Sequence, residues 1–426
     1  MANKKSVLIL GINFYPELTG IGKYTGEMAN WLSDNNYQCT VVTSFPYYPN
    51  WKMQLPYKGN WYKKEILADG NQYVYRCPMY VPAKPSGLKR IIHEMTFCLT
   101  AFFVVLRLLF KPSHDIIFCM APPFLLGFLG LFYRFFKGGK LVYHIHDMQI
   151  EAARDLNILK SQLVFKILFG IERYILESCD FVTTVALGMK KKIALKTTKE
   201  VIYFPNWVAV NNFWPIENDL QAKSHWGFNE KDKIVLYSGS IGEKQGLEAL
   251  IDIAINLKAH PFIKFVICGT GPYKDRLMEM AQEKGLKNFF FLPLQQLDVF
   301  NRFLNMADVH LVIQKKKACD LMMPSKLTNI LAVGGLALVT ADPGCNLYEM
   351  ISEYNMGVLI PAEDNHALEK AILNCCLQNF SIQRSNGRNY VEKHLDQTNI
   401  LESVLATVSS PAFAGGNTQT IEPALN

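Results

Sequence analysis

Two apolar strands in this chain run directly into glycines. Ile234-Val-Leu-Tyr-Ser-Gly-Ser-Ile-Gly-Glu-Lys-Gln-Gly246 sets Gly239, Ser240, Gly242, Lys244 and Gly246 in one turn, and Phe265-Val-Ile-Cys-Gly-Thr-Gly-Pro272 sets Gly269 and Gly271 in another. A third segment, Met323-Pro-Ser-Lys-Leu-Thr-Asn-Ile-Leu-Ala-Val-Gly-Gly335, places Lys326 at the start of an apparent helix. Glycines let backbone amides approach an anion closely, a helix N-terminus favours negative charge, and lysine adds a point charge. The later half of the chain therefore reads as a site for a nucleotide diphosphate. The earlier half has its own strand-to-helix loop, Phe14-Tyr-Pro-Glu-Leu-Thr-Gly-Ile-Gly22, and a polar strand end, Tyr143-His-Ile-His-Asp147.

These loops need strands to hold them. Short apolar runs alternate with helical patterns throughout, which predicts parallel sheets with helices on both faces. Strands are expected at Ser6 to Gly11, Gln38 to Thr43, Tyr73 to Cys77, Asp115 to Met120, Leu141 to His146 and Phe181 to Val185. A second set is expected at Ile234 to Ser238, Phe262 to Cys268, Phe289 to Leu292, Val309 to Ile313, Leu336 to Thr340 and Gly357 to Ile360. Turn formers and aromatics break the pattern at Tyr203-Phe-Pro-Asn-Trp207 and Asn211-Asn-Phe-Trp-Pro215. The expected organisation is a domain over 1–205, a hinge over 206–218, a second domain over 219–380, helices over 381–408 that pack back toward the first domain, and a frayed tail over 409–426. A hydride-transfer fold fits poorly. Gly20, Gly22 and Gly26 have three residues before the last glycine where two are needed, and the second strand ends on Thr43-Ser44 without an acid.

At 426 residues, half of them hydrophobic and 19% charged, the chain is long enough for two sizeable cores. Its net charge of +7 divides unevenly, with +11 in residues 1–200 and −4 in the remainder. The first half is the candidate for an anionic surface. The ten cysteines show no metal-ligand spacing and read as buried thiols of a cytoplasmic protein. The first apolar run, Ser-Val-Leu-Ile-Leu-Gly11, is too short for a secretory signal. Phe97 to Phe110 is apolar apart from Arg107 and small polar residues, and Ile116 to Tyr133 carries no charge. Pro122-Pro123 splits the latter into a buried strand and a helix over Phe124 to Phe136, so no span is expected. Lys89, Arg90, Arg107, Lys111, Arg134, Lys137 and Lys140 flank the two apolar helices, as in a face that docks on lipid headgroups.

In the order and spacing of these motifs, together with Phe204-Pro-Asn-Trp207, the chain resembles the retaining nucleotide-sugar glycosyltransferases of family 4 type. Within them it is most similar to the colanic acid biosynthesis fucosyltransferase branch. The resemblance implies the GT-B fold: α/β, two facing Rossmann-like doubly wound domains with a cleft between them. It implies Lys244 as the diphosphate-binding lysine. The companion arginine of the family is Ser240 here, which makes Lys326, in Pro324-Ser325-Lys326, the second cation. The paired glutamates of the family are replaced: Asn329 stands where ribose hydroxyls are bound, and the first acid falls at Asp320 or Leu321. Donor-sugar contacts then come from Asp320 or from amides over Leu321, Met322 and Met323. The base is read by the loop containing Pro293 and Leu294. On the acceptor side the resemblance implies Gly20, Gly22 and Asp147, with His146 or His144 near the reacting sugar.

The implied reaction leaves a nucleoside diphosphate whose β-phosphate gains charge as the sugar becomes oxocarbenium-like. Lys244, Lys326 and the glycine amides would stabilise that charge. No Asp-x-Asp motif adjoins either glycine loop, so neither a metal nor another cofactor is expected. The expected donor is GDP-fucose and the expected acceptor a lipid-linked oligosaccharide in bacterial exopolysaccharide assembly. The protein would sit peripherally on the cytoplasmic face of the plasma (inner) membrane, and no nucleic acid partner is expected. Two rival readings are a nucleotide-sugar 2-epimerase of the same fold and a non-catalytic membrane scaffold. Sugar transfer to a lipid fraction separates the first, and loss of nucleotide binding in Lys244→Ala and Lys326→Ala argues against the second.

Overall fold

The computed structural model describes residues 4–410 except 18, 156–160, 218, 220 and 317–324. Its fourteen described strands are β1 (Ser6–Gly11), β2 (Gln38–Ser44), β3 (Lys63–Leu67), β4 (Gln72–Cys77), β5 (Ile116–Ala121), β6 (Lys140–Ile145), β7 (Phe181–Thr184), β8 (Val201–Tyr203), β9 (Lys233–Ser238), β10 (Ile263–Cys268), β11 (Phe289–Leu292), β12 (Val309–Val312), β13 (Ala337–Thr340) and β14 (Val358–Ile360). They form two sheets, ordered β3-β4-β2-β1-β5-β6-β7-β8 and β11-β10-β9-β12-β13-β14. All described pairings are parallel except β3 with β4. The chain up to Pro205, with the segment from Leu401, makes one compact unit; Asn206 to Ile400 makes the other. Both units are Rossmann-like.

Helices cover both faces of each sheet, so the central strands are apolar without alternation. Every residue of β5, Ile-Ile-Phe-Cys-Met-Ala, is buried. The second sheet has a core on each face, one including Leu236, Val266 and Leu331, the other Val235, Phe265 and Ile372. In each sheet the strand order reverses at the first strand of its unit. β1 lies between β2 and β5, and β9 between β10 and β12. Ligands of open parallel sheets bind beyond the carboxyl ends at such reversals. That places the loops after Gly11 and after Ser238 at the two functional edges.

The structure adds two strands that the sequence reading lacks. β3, Lys-Lys-Glu-Ile-Leu, is a charged edge strand, and β8 is three residues long. The first has no apolar run to announce it, and the second is apolar but too short to stand apart from the turn that follows it. The Pro122-Pro123 turn leads from β5 into the helix Leu126–Lys137. The apolar segment ending at Phe110 belongs to a longer helix, Gly87–Leu108. Among the described residues this helix alone is long and apolar enough to cross a membrane by length and composition. One side of it packs into the first core through Phe97, Ala101, Val104, Val105 and Leu108. The opposite side leaves Leu88, Ile92, Met95, Leu99 and Phe103 exposed. Phe102 meets Phe132 of the next helix at 5.2 Å, and Phe135 and Phe136 at that helix's end are also exposed. Helix Ser381–His394 packs on helix Ser325–Ala332, whereas the last helix, Gln397–Ser409, reaches the first unit, where Lys140 donates to the Val408 and Ser410 carbonyls.

Candidate functional site

In the second unit the two glycine turns are laced to each other. The Gly239 amide donates to the Cys268 carbonyl at 2.9 Å, and the Ile241 amide to that of Thr270 at 2.9 Å. A Cβ at position 269 would overlap the Gly239 carbonyl oxygen, and one at 271 the Ile241 carbonyl. Both positions are therefore restricted to glycine by backbone approach. Gly239 and Gly271 also have positive φ, 154° and 155°. The Tyr237 hydroxyl caps the turn by donating to the Ser240 carbonyl at 2.6 Å. Ser240 thus contributes its backbone to the loop's shape. The Gly242 amide is occupied by the Gln245 side chain, and Gly246 adopts the left-handed conformation that ends the short helical turn Glu243–Gln245.

Lys326 and Asn329 lie three residues apart on helix Ser325–Ala332 and so share a face. The Lys326 ammonium sits 3.7 Å from the centre of the Tyr237 ring and beside Gly239. Its Nζ is buried with no hydrogen-bond partner, and so is Oδ1 of Asn329. Burial pulls the lysine pKa down to about 7. Buried orphans are rare in native proteins, and two on one helix face beside a glycine turn mark a place where a ligand completes the bonding. In the loop after β11, Pro293 uses its carbonyl to accept from the Gln295 side chain, and Leu294 is exposed. Asp320, Leu321, Met322 and Met323 lie outside the described residues, as do the side chains of Lys244 and Ser325.

A cavity of about 400 Å³ opens beside Gly246, lined among others by Glu248, Asp252, Glu363 and Asp364. It includes neither Lys326 nor Asn329, and its one lysine, Lys315, is paired with Glu248 at 2.9 Å. A pyrophosphate is repelled by that lining. The unpaired Lys326 is the better marker of the anion.

In the first unit, His146 follows β6 and is buried; burial holds it down at about 3, so the imidazole is neutral at physiological pH. Its Nε2 has no partner. His144 lies 4.3 Å away, ring to ring, against Phe204, with Nδ1 at 2.7 Å from the Thr183 hydroxyl. The structure encloses His144 as the support under His146 and leaves Asp147 exposed. Gly20 has a φ of 62° and opens the helix Gly20–Asp34, and a Cβ at Gly22 would press on Glu17.

Glu17 and Arg76 hold this loop and were not singled out from the sequence. Glu17 accepts from the Tyr47 and Tyr48 amides at 2.9 and 2.8 Å and from Asn13 at 2.8 Å. Burial raises its pKa against those bonds. Arg76, fully buried, donates to the Tyr15 carbonyl at 2.8 Å and pairs with Glu65 at 2.6 Å. The signal for Arg76 was a lone charge inside an apolar strand. Glu17 sat in the quoted strand-to-helix motif, where only the glycines were given a role.

Residues 19–207 match the glycosyl transferase 4-like domain family, and residues 219–393 the glycosyl transferases group 1 family. Over 413 residues the chain is 38% identical to WcaI of Escherichia coli, named as a colanic acid biosynthesis glycosyl transferase, covering 94% of this chain and 98% of that one. Among solved structures it is similar to sucrose-phosphate synthase of Thermosynechococcus elongatus, with a TM-score of 0.71 at 15% identity over 94% of this chain and 97% of that one. It is also similar to HepE of Anabaena in complex with UDP, with a TM-score of 0.67 at 12% identity over 95% and 99%. The solved structures share the GT-B fold.

Proposed function

The chain belongs to the group 1 glycosyl transferases, and from that membership we propose that it moves fucose from GDP-fucose, with retention, onto a lipid-linked oligosaccharide in assembly of a colanic-acid-like exopolysaccharide. The observation that carries a nucleotide-sugar donor is the pair of orphaned groups, Lys326 Nζ and Asn329 Oδ1, on one helix face beside the Gly239 turn. A diphosphate supplies the anion that the lysine lacks, and a ribose hydroxyl supplies the donor that Asn329 Oδ1 lacks. As the glycosidic bond to the β-phosphate breaks, negative charge grows on the leaving group. Lys326, with Lys244 from the neighbouring turn, stabilises it without a metal ion. The 38% identity to WcaI, and the name that protein bears, support the exopolysaccharide setting.

The lipid-linked acceptor rests on the first unit. Exposed Leu88, Ile92, Met95, Leu99 and Phe103 form a stripe, and Lys89, Arg107 and Lys111 lie on the same helix or just beyond its end, with Lys137 at the end of the next. Apolar surface fringed by cations fits an anionic bilayer, on whose cytoplasmic side the enzyme would lie peripherally. The test is incubation with radiolabelled GDP-fucose and a bacterial lipid extract. Label entering the lipid fraction, with the anomeric configuration of the transferred fucose in the product the same as in the donor by NMR, is the expected result. Label recovered only as free sugar or as an epimeric nucleotide sugar overturns the assignment.

A further inference from the structure

The helix Gly87–Leu108 has a second use for its first two turns. The side away from the exposed stripe carries Arg90, His93 and Glu94, which meet loops at the carboxyl end of the first sheet. The Arg90 guanidinium lies 5.3 Å over the Trp51 ring. His93 brings Nδ1 to 2.6 Å from the Tyr80 carbonyl and packs 4.7 Å from the Tyr47 ring and 5.3 Å from that of Trp51. The Glu94 carboxylate accepts from Gln149 Nε2 at 2.8 Å, and Gln149 Oε1 in turn accepts from the Phe124 amide at 2.9 Å. That last bond fixes which way the Gln149 amide faces.

Folding alone gives little reason for this carboxylate. Burial raises the Glu94 pKa to about 7, opposed by the Gln149 bond and the Arg90 charge and reinforced by Asp147, so the group is kept against a desolvation cost. A helix that only covered the sheet would be better served there by leucine. The surroundings also ask for a ligand: His93 and His146, both at least nine-tenths buried, each leave Nε2 without a partner. An aromatic wall with a carboxylate, a side-chain amide and imidazole nitrogens matches a pyranose ring, which is apolar on its faces and polar at its rim.

We propose that Glu94 and Gln149, with Trp51 as the wall, form a subsite that binds hydroxyl groups of the acceptor sugar. This rests on the glycosyltransferase reading in taking the acceptor to be a saccharide. Glu94 is then a specificity-determining residue, and its helix contacts the acceptor glycan on one side while offering the apolar stripe to lipid on the other.

The test uses the full chain with phenyl β-D-galactoside and phenyl β-D-glucoside as soluble probes, their binding read by saturation-transfer NMR. Thermal shift with GDP and UDP is read in parallel. The wild type is expected to bind one glycoside, Glu94→Ala to bind it at least about tenfold more weakly, and Glu94→Gln, which keeps the shape and one acceptor, to fall between. The nucleotide shift stays as in the wild type for both variants, and a far-UV circular dichroism spectrum and first-unit melting transition like those of the wild type show that they fold. Equal glycoside affinity in wild type and Glu94→Ala overturns the subsite, as does a wild type that binds nucleotide and neither glycoside. A wild type that binds glycoside through Glu94 but no nucleotide would leave the subsite standing and sink the donor reading instead.

Discussion

Lys326 is the residue on which the proposed donor chemistry turns, and its protonation makes it testable. In the unliganded protein burial holds its pKa at about 7, below the ordinary 10.5. The unfolded chain keeps that proton up to about pH 10.5, so from pH 7 to 10.5 it binds more protons than the folded chain and stability rises with pH. Below pH 7 the full cost of the buried charge remains. A bound diphosphate favours the ammonium and restores the higher pKa. Calorimetric titration of GDP at pH 8.5 in buffers of different ionisation heat should therefore show uptake of a fraction of a proton approaching one per ligand. Lys326→Met should abolish that uptake, weaken GDP at least tenfold, and flatten the rise in stability between pH 7 and 10. Unchanged uptake would remove Lys326 from the phosphate site. A second residue-scale expectation concerns Gly269, whose missing Cβ is replaced by the Gly239 carbonyl. Both are backbone and neither can yield, so Gly269→Ala should cost about 1–3 kcal/mol of stability by denaturant titration and abolish the nucleotide shift. The glycines and Lys326 were legible as a cluster because close backbone approach restricts residue type and a lysine at the start of an apolar helix stands out. Glu17 and Glu94 were not, because a carboxylate in a loop or on a helix looks the same in sequence whether it faces solvent or a buried amide.

At the scale of elements, the central strands were legible because burial on both faces demands unbroken apolar runs. β3 was missed because an edge strand makes no such demand, and β8 because its three apolar residues run into the segment read as a break. The helix Gly87–Leu108 shows a subtler limit. Its sequence is apolar nearly all round, so nothing in the pattern alone says which side meets the core; the contacts of Phe97, Ala101 and Val105 do. What remains outside is the stripe, and it is open to direct test. Leu99 and Phe103 are 61% and 56% exposed, so charges there leave the fold intact. In flotation with vesicles containing anionic lipid, the wild type should rise with the lipid at low salt and progressively less as salt screens the basic fringe. Leu99→Glu with Phe103→Glu should reduce flotation at least tenfold, since each side chain forfeits about 1.5–3 kcal/mol of burial. The GDP thermal shift should not change. Wild-type flotation that is absent at low salt would rule the bilayer out as this surface's partner.

At the scale of the molecule, the chain folds as two units whose sequence limits do not coincide with their spatial ones. The second unit closes at Ile400, and the segment from Leu401 returns to the first, where Leu401, Val404, Leu405 and Val408 are buried. Two units with separate cores are not bound to unfold as one, and a ligand confined to one of them stabilises that one. The orphaned Lys326 and Asn329 belong to the second unit, so GDP at a hundred times its dissociation constant adds about 2.7 kcal/mol there. For a unit of this size that is a rise of roughly 5–10 °C in its transition. Removal of residues 401–426 takes four buried apolar side chains from the first unit and leaves the nucleotide groups in place. Scanning calorimetry should then show two transitions, GDP moving only one, and the truncation lowering the other by several degrees with the GDP response preserved. A single transition that GDP and truncation shift together would mean that the units melt cooperatively, and the picture of two independently stabilised units would have to be given up.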